Sequence, residues 1–309
     1  MIVSVENLTH RYGARTALSK VSFHIEEQEI FGLLGPNGGG KSTLFRILST
    51  LMSPAEGRAS IAGFDVERQS AEVRKRIGVV FQSQSLDKKL TVEENLRSQG
   101  HLYGLSGVVL RQRIDEVTAR LGLADRRAEL VEALSGGLRR RVEIAKALLH
   151  KPQVLLMDEP STGLDPSARR ELWQYAASLR ESQGVTVLLT THILEEADKC
   201  DRLILLHQGH IVAEGTPAEL KSKIGGDVVE LEVADVETMR GELERRFGVT
   251  PMVVDGSLHI EIGNGHRFIT EVVEAFPGAI QSVALHKPTL EDVFEHETGA
   301  SIIWDQRPR

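Results

Sequence analysis

Apolar and polar positions alternate through residues 1 to about 31 of the chain. The apolar positions of this stretch include Ile2, Val5, Leu8, Val21, Phe23 and Ile25. A period of two predicts half-buried antiparallel strands. Ile30 to Leu34 is instead a continuous apolar run, which is typical of a buried parallel strand. A helix is expected from Thr43 to Leu51, and strand character returns from residue 57 to 81.

The period becomes helical from Val92 to Ala133. Ile114, Val117 and Leu121 share one face of this stretch, and Arg and Glu residues occupy the other face. A further helix is expected after Gly137. Strands and helices then alternate in the order that a parallel α/β sheet produces. The predicted elements are a strand at Val154 to Met157, a helix at Ala168 to Ser182, a strand at Val185 to Thr190, a helix at Glu195 to Lys199 and a strand at Leu203 to Leu206.

A second unit begins where the pattern breaks at the glycine pair within Ser222 to Asp227. Its order of elements predicts a small α+β domain with an antiparallel sheet. The predicted elements are strands at Val228 to Val233, Leu258 to Ile262 and Ile280 to Leu285, and helices at Val236 to Phe247, Arg267 to Phe276 and Leu290 to His296. We therefore expect a first domain over residues 1–224, a second over 225–298 and a frayed tail over 299–309.

The composition is that of a globular protein with a sizeable core, because 41% of the 309 residues are hydrophobic and 26% are charged. This length is comfortable for two domains. The net charge of −7 argues against nucleic acid as the main partner, which would require a basic face. No apolar run approaches the roughly 20 residues that span a bilayer, and the N-terminus does not resemble a secretory signal. Any membrane role is therefore expected to come through a partner.

The cysteine and histidine residues add little to this picture. The single cysteine, Cys200, excludes a disulfide within the chain and is expected to be a small buried apolar residue. The eleven histidines show no metal-ligand spacing, so no metal site is expected among them.

The strongest chemical motif is a glycine-rich loop between the predicted buried strand and the helix that follows it. Its residues, which are all predicted to bind a nucleotide, are Gly35, Pro36, Asn37, Gly38, Gly39, Gly40, Lys41, Ser42 and Thr43. They match the P-loop pattern G-x-x-x-x-G-K-[ST], whose glycines let backbone N–H groups point at phosphates at the positive end of a helix. Lys41 is expected to reach the β- and γ-phosphates, and the Ser42 hydroxyl to bind Mg²⁺.

A second motif is a pair of carboxylates, Asp158 and Glu159, at the end of the apolar strand that begins at Val154. In open α/β sheets, ligands bind at the carboxyl ends of the strands. Asp158 is therefore expected to hold Mg²⁺, and Glu159 to polarise the water that attacks the γ-phosphate.

Between these two motifs lies Leu134-Ser135-Gly136-Gly137, a segment that resembles the signature of the ATP-binding-cassette (ABC) ATPases. The resemblance covers roughly residues 1 to 220, with further motifs in the family's order. Tyr12 resembles the aromatic residue that stacks on adenine, and Gln82 the glutamine that meets the metal and the attacking water. Asp165 resembles the residue that faces the dimer partner, and His192 the switch histidine that contacts the γ-phosphate.

The resemblance implies an α/β fold with a RecA-like P-loop NTPase core, an antiparallel β subdomain and a helical signature subdomain at about residues 88–150. It implies a homodimer that sandwiches ATP and Mg²⁺, in which the signature of one chain faces the γ-phosphate held by the P-loop of the other. It also implies an ATPase that is bound to the cytoplasmic face of the cell membrane through a separate permease.

Two features depart from, or add to, the family pattern. Gly39 stands where the family more often has alanine or serine. Three arginines that follow the signature could steer ATP, but a solvated helix face is expected for at least two of them. They are Arg139, Arg140 and Arg141.

Several alternatives to a transporter subunit can be compared. A DNA-repair ATPase of this family would need a long coiled coil between Lys41 and Ser135, and the interval has no room for one. A translation factor of this family carries two cassettes, and a P-loop kinase or GTPase has no use for the signature. A transporter ATPase is therefore favoured, while another soluble ABC-type ATPase and an importer ATPase remain as alternatives.

Two segments refine the transporter hypothesis. The stretch from Pro288 to Phe294 resembles the tail of drug-resistance-type exporter ATPases, such as those for daunorubicin, which favours export. The stretch from Gln82 to Leu96 joins the expected γ-phosphate site to the helical insert, so it is expected to be the docking surface for the permease. Within it, Thr91 and Glu94 have the spacing of a helix capping box.

Overall fold

The computed structural model describes residues 1–299. Its strands are β1 (Val3–Tyr12), β2 (Arg15–Ile25), β3 (Ile30–Leu34), β4 (Glu56–Ile61), β5 (Phe64–Asp65), β6 (Ile77–Val80), β7 (Val154–Asp158), β8 (Thr186–Thr191), β9 (Arg202–His207), β10 (His210–Gly215), β11 (Asp227–Val233), β12 (Met252–Val254), β13 (Ser257–Ile262) and β14 (Ile280–His286). Its α-helices are α1 (Lys41–Leu48), α2 (Ser70–Arg74), α3 (Val92–Leu102), α4 (Gly107–Arg120), α5 (Gly136–Leu148), α6 (Pro166–Gln183), α7 (Leu194–Ala197), α8 (Pro217–Ser222), α9 (Val236–Phe247), α10 (Gly265–Ala275) and α11 (Leu290–Thr298).

The antiparallel strands predicted for the start of the chain are confirmed. They belong to a four-stranded sheet in the order β2-β1-β4-β5, in which every pair is antiparallel. Val3 and Val5 of β1 are buried, and Leu8 and Val21 complete the same apolar face. This face packs in one core with Phe45 and other residues of α1, so the sheet supports the helix that follows the glycine-rich loop.

The predicted parallel sheet is also confirmed, with six strands in the order β10-β9-β3-β8-β7-β6. Its strands pair in parallel, except that β10 runs antiparallel to β9. Successive residues of β7 point to two different cores. Leu155 and Met157 pack with the helices α3 to α6, whereas Val154 and Leu156 pack with α1 and the antiparallel sheet. Because both faces are covered, the central strands are apolar without interruption.

The stretch from Val92 to Ala133 is helical, as expected, but it is not one continuous helix. The predicted stretch from Val92 to Ala133 comprises α3 and α4, which are separated at residues 103–106, and two short 3-10 turns at Ala124–Arg126 and Val131–Ala133. The capping box at Thr91 and Glu94 is confirmed at the start of α3. The sequence pattern does not predict α2, α8, β10 or β12, because such short elements show too few periods.

The last part of the described chain contains the predicted antiparallel sheet, in the order β12-β13-β11-β14. Helices α9 and α10 contribute Leu243 and Phe268 to the core on this sheet. Helix α11 packs differently, because Leu290, Val293 and Phe294 join a core with residues of β9, β10 and α8. The final helix of the predicted second domain therefore shares a core with the first, and the division at residue 224 stays a prediction.

Other expectations are met or fall outside the described chain. No helix within residues 1–299 is long and apolar enough to cross a membrane. Cys200 is buried, as expected, and burial raises the pKa of its thiol. Apart from Gly299, the predicted tail lies outside the described residues.

Candidate active site

The glycine-rich loop joins β3 to α1 and curls around the side chain of Lys41. Gly40 has φ 112°, a conformation that L side chains rarely adopt, and a Cβ there would lie 2.7 Å from the carbonyl oxygen of Ala17. Lys41, only 4% exposed, donates from Nζ to the carbonyl oxygens of Gly35 at 2.6 Å and Pro36 at 2.9 Å. The loop therefore holds a cation beside the N-terminus of a helix, which is the arrangement that favours phosphate.

Gly39 is closely surrounded by backbone. A Cβ at this position would lie 2.9 Å from the carbonyl oxygen of Leu206 and 3.1 Å from that of Pro36. In this conformation the loop has no room for the alanine or serine that is more usual in the family. The departure noted in the sequence therefore has a steric reason.

An open cleft of about 240 Å³ lies against the loop and α1. Tyr12 stands at the cleft with 44% of its surface exposed, and its ring meets His10 edge-on at a centroid distance of 4.8 Å. The cleft combines an exposed aromatic face with a cation and a helix N-terminus, which suits a nucleotide. The lining residues are Tyr12, Arg15, Ala17, Asn37, Gly38, Gly40, Lys41, Ser42, Thr43, Arg46 and Glu159.

The two carboxylates at the end of β7 are held by the neighbouring strand β8. The Thr190 hydroxyl donates to Asp158 Oδ1 at 2.6 Å and accepts from the Glu159 N–H at 2.9 Å. Burial raises the pKa of Asp158, and the charge of Glu159 acts in the same direction. Glu159 has φ 42°, which is uncommon for a residue other than glycine, so the chain turns sharply where its side chain enters the cleft.

Three side chains from separate segments converge on the Glu159 carboxylate. Gln82 Nε2 donates to its Oε2 at 2.9 Å, and the Thr162 hydroxyl donates to the same oxygen at 3.3 Å. His192 Nδ1 lies 3.3 Å from its Oε1. His192 lowers the pKa of Glu159, and the opposing effect of burial is smaller. The carboxylate is therefore ionised and oriented, as a proton acceptor must be.

The signature residues lie apart from this cluster. Ser135 caps α5, where its Oγ accepts from the Leu138 N–H at 3.3 Å, and Ser135 and Gly136 are exposed. Within residues 1–299, none of residues 134–137 lines the cleft around Lys41. The start of α5 meets that of α6, because a Cβ on Gly137 would lie 2.9 Å from Cβ of Ala168. The α6 cap is Asp165, which accepts from the backbone N–H groups of residues 167 and 168.

A buried ion pair behind the signature was not recognised from the sequence. Arg140 Nη1 donates to Glu143 Oε2 at 2.8 Å and to the carbonyl oxygen of Phe81 at 2.7 Å. Glu143 Oε1 accepts from the Ser85 N–H at 2.7 Å. Both side chains are at least nine-tenths buried. One face of α5 thus positions the backbone on both sides of Gln82.

The expectation of a solvated arginine face is therefore wrong. Arg140 is buried, Arg139 donates to the carbonyl oxygens of residues 131 and 132, and Arg141 pairs with Glu171. The spacing of Arg140 and Glu143 is the sequence signal that could have identified the pair. Residues three apart share a helical face, and this face also carries the buried Ala147.

The sequence and fold of this chain are similar to those of known proteins. The profile of the ABC transporter family matches residues 18–162. The daunorubicin resistance ATP-binding protein DrrA3 of Streptomyces coeruleorubidus is 38% identical, over 96% of this chain and 96% of its own. The Nod factor export ATP-binding protein I of Ralstonia nicotianae is 42% identical, over 96% of this chain and 94% of its own.

A solved structure supports the same assignment. The ATP-binding cassette MJ0796, in a dimeric post-hydrolysis state with ADP and phosphate, is 31% identical and superposes with a TM-score of 0.62. The match covers 70% of this chain and 98% of that one. The glycine-rich loop, the paired carboxylates and the signature all lie on the fold that these proteins share. The chain belongs to the ABC transporter family, as an ATP-binding subunit with ATPase activity.

Proposed function

We propose that this protein hydrolyses ATP between two copies of itself and thereby drives export through a separate membrane permease. The observation that carries the proposal is the convergence of Gln82, Thr162 and His192 on the Glu159 carboxylate at the edge of the P-loop cleft. The names of the relatives, which concern drug resistance and Nod factor export, support export as the direction of transport.

In the proposed reaction, Glu159 accepts a proton from the water that attacks the γ-phosphate. Gln82 and His192 hold that carboxylate and the water in place, and both belong to the catalytic group with Glu159. The triphosphate lies along the loop from Gly35 to Thr43, with Lys41 at the β- and γ-phosphates and Tyr12 against adenine. The lowered pKa of Glu159 keeps the base ionised at neutral pH.

Mg²⁺ suits the oxygen and amide donors that lie beside the loop. Asp158 Oδ1 accepts a hydrogen bond from the Thr190 hydroxyl. Its Oδ2 accepts no side-chain hydrogen bond from residues 1–299. Ser42, Gln82 and Asp158 are the proposed protein ligands, directly or through water. When bound, Mg²⁺ neutralises charge on the phosphates.

The exposed signature supports a second proposed contact, which is made by the partner chain. Leu134 to Gly137 and Asp165 lie at the adjoining starts of α5 and α6, and Ser135 and Gly136 face solvent. Backbone N–H groups at a helix start bind anions. We propose that this surface contacts the γ-phosphate held by the partner's P-loop, so that each copy completes the other's site.

Dimerisation should depend on the γ-phosphate. The Glu159→Gln variant is expected to be monomeric without nucleotide and dimeric with ATP, because the uncleaved γ-phosphate bridges Lys41 of one copy and Ser135 of the other. Sedimentation velocity with ATP, with ADP and without nucleotide measures this. As a matched control, adding Gly136→Asp should abolish the ATP-dependent dimer, because a carboxylate repels the phosphate. An equally strong dimer in ADP would show that another surface, such as residues 227–298, holds the pair.

The segment from Gln82 to Leu96 is the proposed docking surface for the permease, which places the protein peripherally on the cytoplasmic face of the membrane. Its first part is anchored at the active site by Gln82 and by the hydrogen bond that the Ser85 N–H donates to Glu143. Residues 82–85 and 87–89 are exposed, and the Thr91 capping box fixes the start of α3. The segment therefore connects the catalytic carboxylate to the surface.

Crosslinking tests the docking proposal. A cysteine at Lys88 or Lys89 is expected to crosslink to a cytoplasmic loop of the permease, with a yield that differs between ATP and ADP. The native Cys200 is buried and should contribute little background. Glu237→Cys on α9 is a control with a similarly exposed side chain. Equal yields from Lys88→Cys and Glu237→Cys, in a preparation that still transports, would contradict the docking assignment.

A further inference from the structure

A cluster of histidine and carboxylate side chains lies in the C-terminal part of the protein, on elements distinct from those of the ATP site. His259 is in the middle of β13, and Asp292 and Glu295 are three residues apart on α11, so they share a helical face. One ligand atom from each of these three side chains lies within 4.8 Å of the others. The cluster thus joins a strand of the antiparallel sheet to the final helix.

The carboxylates of this cluster are buried and have no strong cation beside them. Asp292 is 8% exposed and Glu295 is 4% exposed. Among residues 1–299, no Lys or Arg pairs with either of them, and their ionic contacts are to histidines. Glu230 also approaches His259, at 3.8 Å. Buried carboxylates are normally paired or bound to a metal, so the positive charge at this site comes either from protonated histidine or from a bound cation.

The imidazole of His259 lies directly beside the Glu295 carboxylate. Its Nδ1 is buried and has no hydrogen-bond partner of suitable geometry within the described chain, although it lies 3.0 Å from Glu295 Oε2. Two ligand atoms that each lie about 2.1 Å from a tetrahedral Zn²⁺ ion are roughly 3.4 Å apart. The nitrogen and the oxygen are slightly closer than this, so a small rotation of either side chain brings them to the spacing of adjacent ligands.

We propose that His259, Asp292 and Glu295 bind a divalent transition-metal ion, with Zn²⁺ as the ion that the donor set suits. One imidazole and two carboxylates are usual Zn²⁺ ligands, whereas Mg²⁺ prefers oxygen alone. An open cavity of about 450 Å³, lined by all three side chains, provides the entry path. One oxygen of Asp292 caps α11 through Thr289, which fixes the orientation of this ligand.

The proposed ion would hold α11 against the antiparallel sheet. Helix α11 also packs against β9, β10 and α8, because its residues Val293 and Phe294 share a core with them. Zn²⁺ therefore binds where the C-terminal sheet and the ATP-binding part are connected, and it stabilises that connection. This proposal does not rest on the transport function, since it concerns binding and stability alone.

The experiment uses the full-length chain after removal of metal by a chelator. Zn²⁺ affinity is measured by competition with a chromophoric chelator, and Co²⁺ serves as a spectroscopic probe of the ligand set. All proteins carry Asp158→Asn, so that the ATP site does not contribute. The parent protein and the control His266→Ala, an exposed histidine of α10, should bind a single Zn²⁺ per chain with equal affinity.

Loss of a ligand should weaken that binding. His259→Ala and Glu295→Gln are each expected to lower Zn²⁺ affinity by at least 10- to 100-fold, the effect typical of losing even a supporting group, and to change the Co²⁺ spectrum. Zn²⁺ should raise the unfolding temperature of the parent and of His266→Ala but not of these variants. Because truncation of a half-buried histidine can unfold a domain, circular dichroism is recorded, and Glu295→Gln decides if His259→Ala is unfolded. Equal Zn²⁺ affinity in Glu295→Gln and His266→Ala would overturn the proposal, as would the absence of Zn²⁺ binding in the parent protein.

Discussion

Replacing Glu159 with glutamine should lower the ATP turnover rate by about 10²- to 10⁴-fold, which is the usual cost of losing a positioned base. Glutamine keeps the size of the side chain and can still accept a hydrogen bond from Gln82, so ATP affinity should be unchanged. The lost property is the ionised carboxylate that His192 favours. Steady-state ATPase assays and equilibrium nucleotide binding measure the two effects separately.

Glu195→Gln is the matched control for this experiment, because Glu195 is an exposed glutamate at the start of α7. Its turnover should remain at the level of the unmodified protein. Near-normal turnover in Glu159→Gln would remove Glu159 from the role of base. Loss of ATP binding together with turnover would instead indicate that the substitution distorts the P-loop cleft.

The second large effect is expected from Arg140→Ala, which should lower the free energy of unfolding by about 3–5 kcal/mol. The substitution leaves Glu143 buried without its cation, and burial already raises the pKa of that carboxyl. It also removes the donor to the carbonyl oxygen of Phe81, so the backbone before Gln82 is no longer held. Chemical denaturation measures the stability, and the turnover rate reports the position of Gln82.

A double variant separates these two consequences. Arg140→Met combined with Glu143→Leu should recover most of the stability, because apolar residues of similar size can replace a buried ion pair. Turnover should stay low, since the carbonyl of Phe81 and the N–H of Ser85 still lack their partners. Arg267→Ala, which breaks an exposed pair on α10, should leave both properties nearly unchanged. If the double variant recovered turnover as well, the pair would not position Gln82.

The sequence predicts the parts of this protein that depend on neighbouring residues. The glycine-rich loop follows directly after a buried strand, and Asp158 follows directly after another, so local pattern and chemistry are sufficient to identify both. The capping box at Thr91 is also local, because its two members lie three residues apart. The fold follows from the same logic, since continuous apolar strands that alternate with helices require a sheet covered on both faces.

The parts that the sequence did not predict depend on contacts between distant segments. Arg140 resembles its two arginine neighbours in the sequence, and only the packing of α5 against residues 81–85 shows that it is buried. His259 has no metal-ligand spacing along the chain, because Asp292 and Glu295 come from a helix more distant in sequence. The convergence on Glu159 is similar, because Gln82 and His192 follow different strands. The family resemblance suggested their roles, but the spacing alone did not place them together.

The packing of α11 determines where this chain can be cut. A fragment that ends near residue 224 retains every motif of the ATP site, yet it loses Leu290, Val293 and Phe294 from the core that they share with β9, β10 and α8. The apolar surface left in water is the kind that promotes aggregation. Recombinant fragments of this cassette therefore need the C-terminal helix to be retained, or the exposed face of α8 and β10 to be redesigned with polar residues.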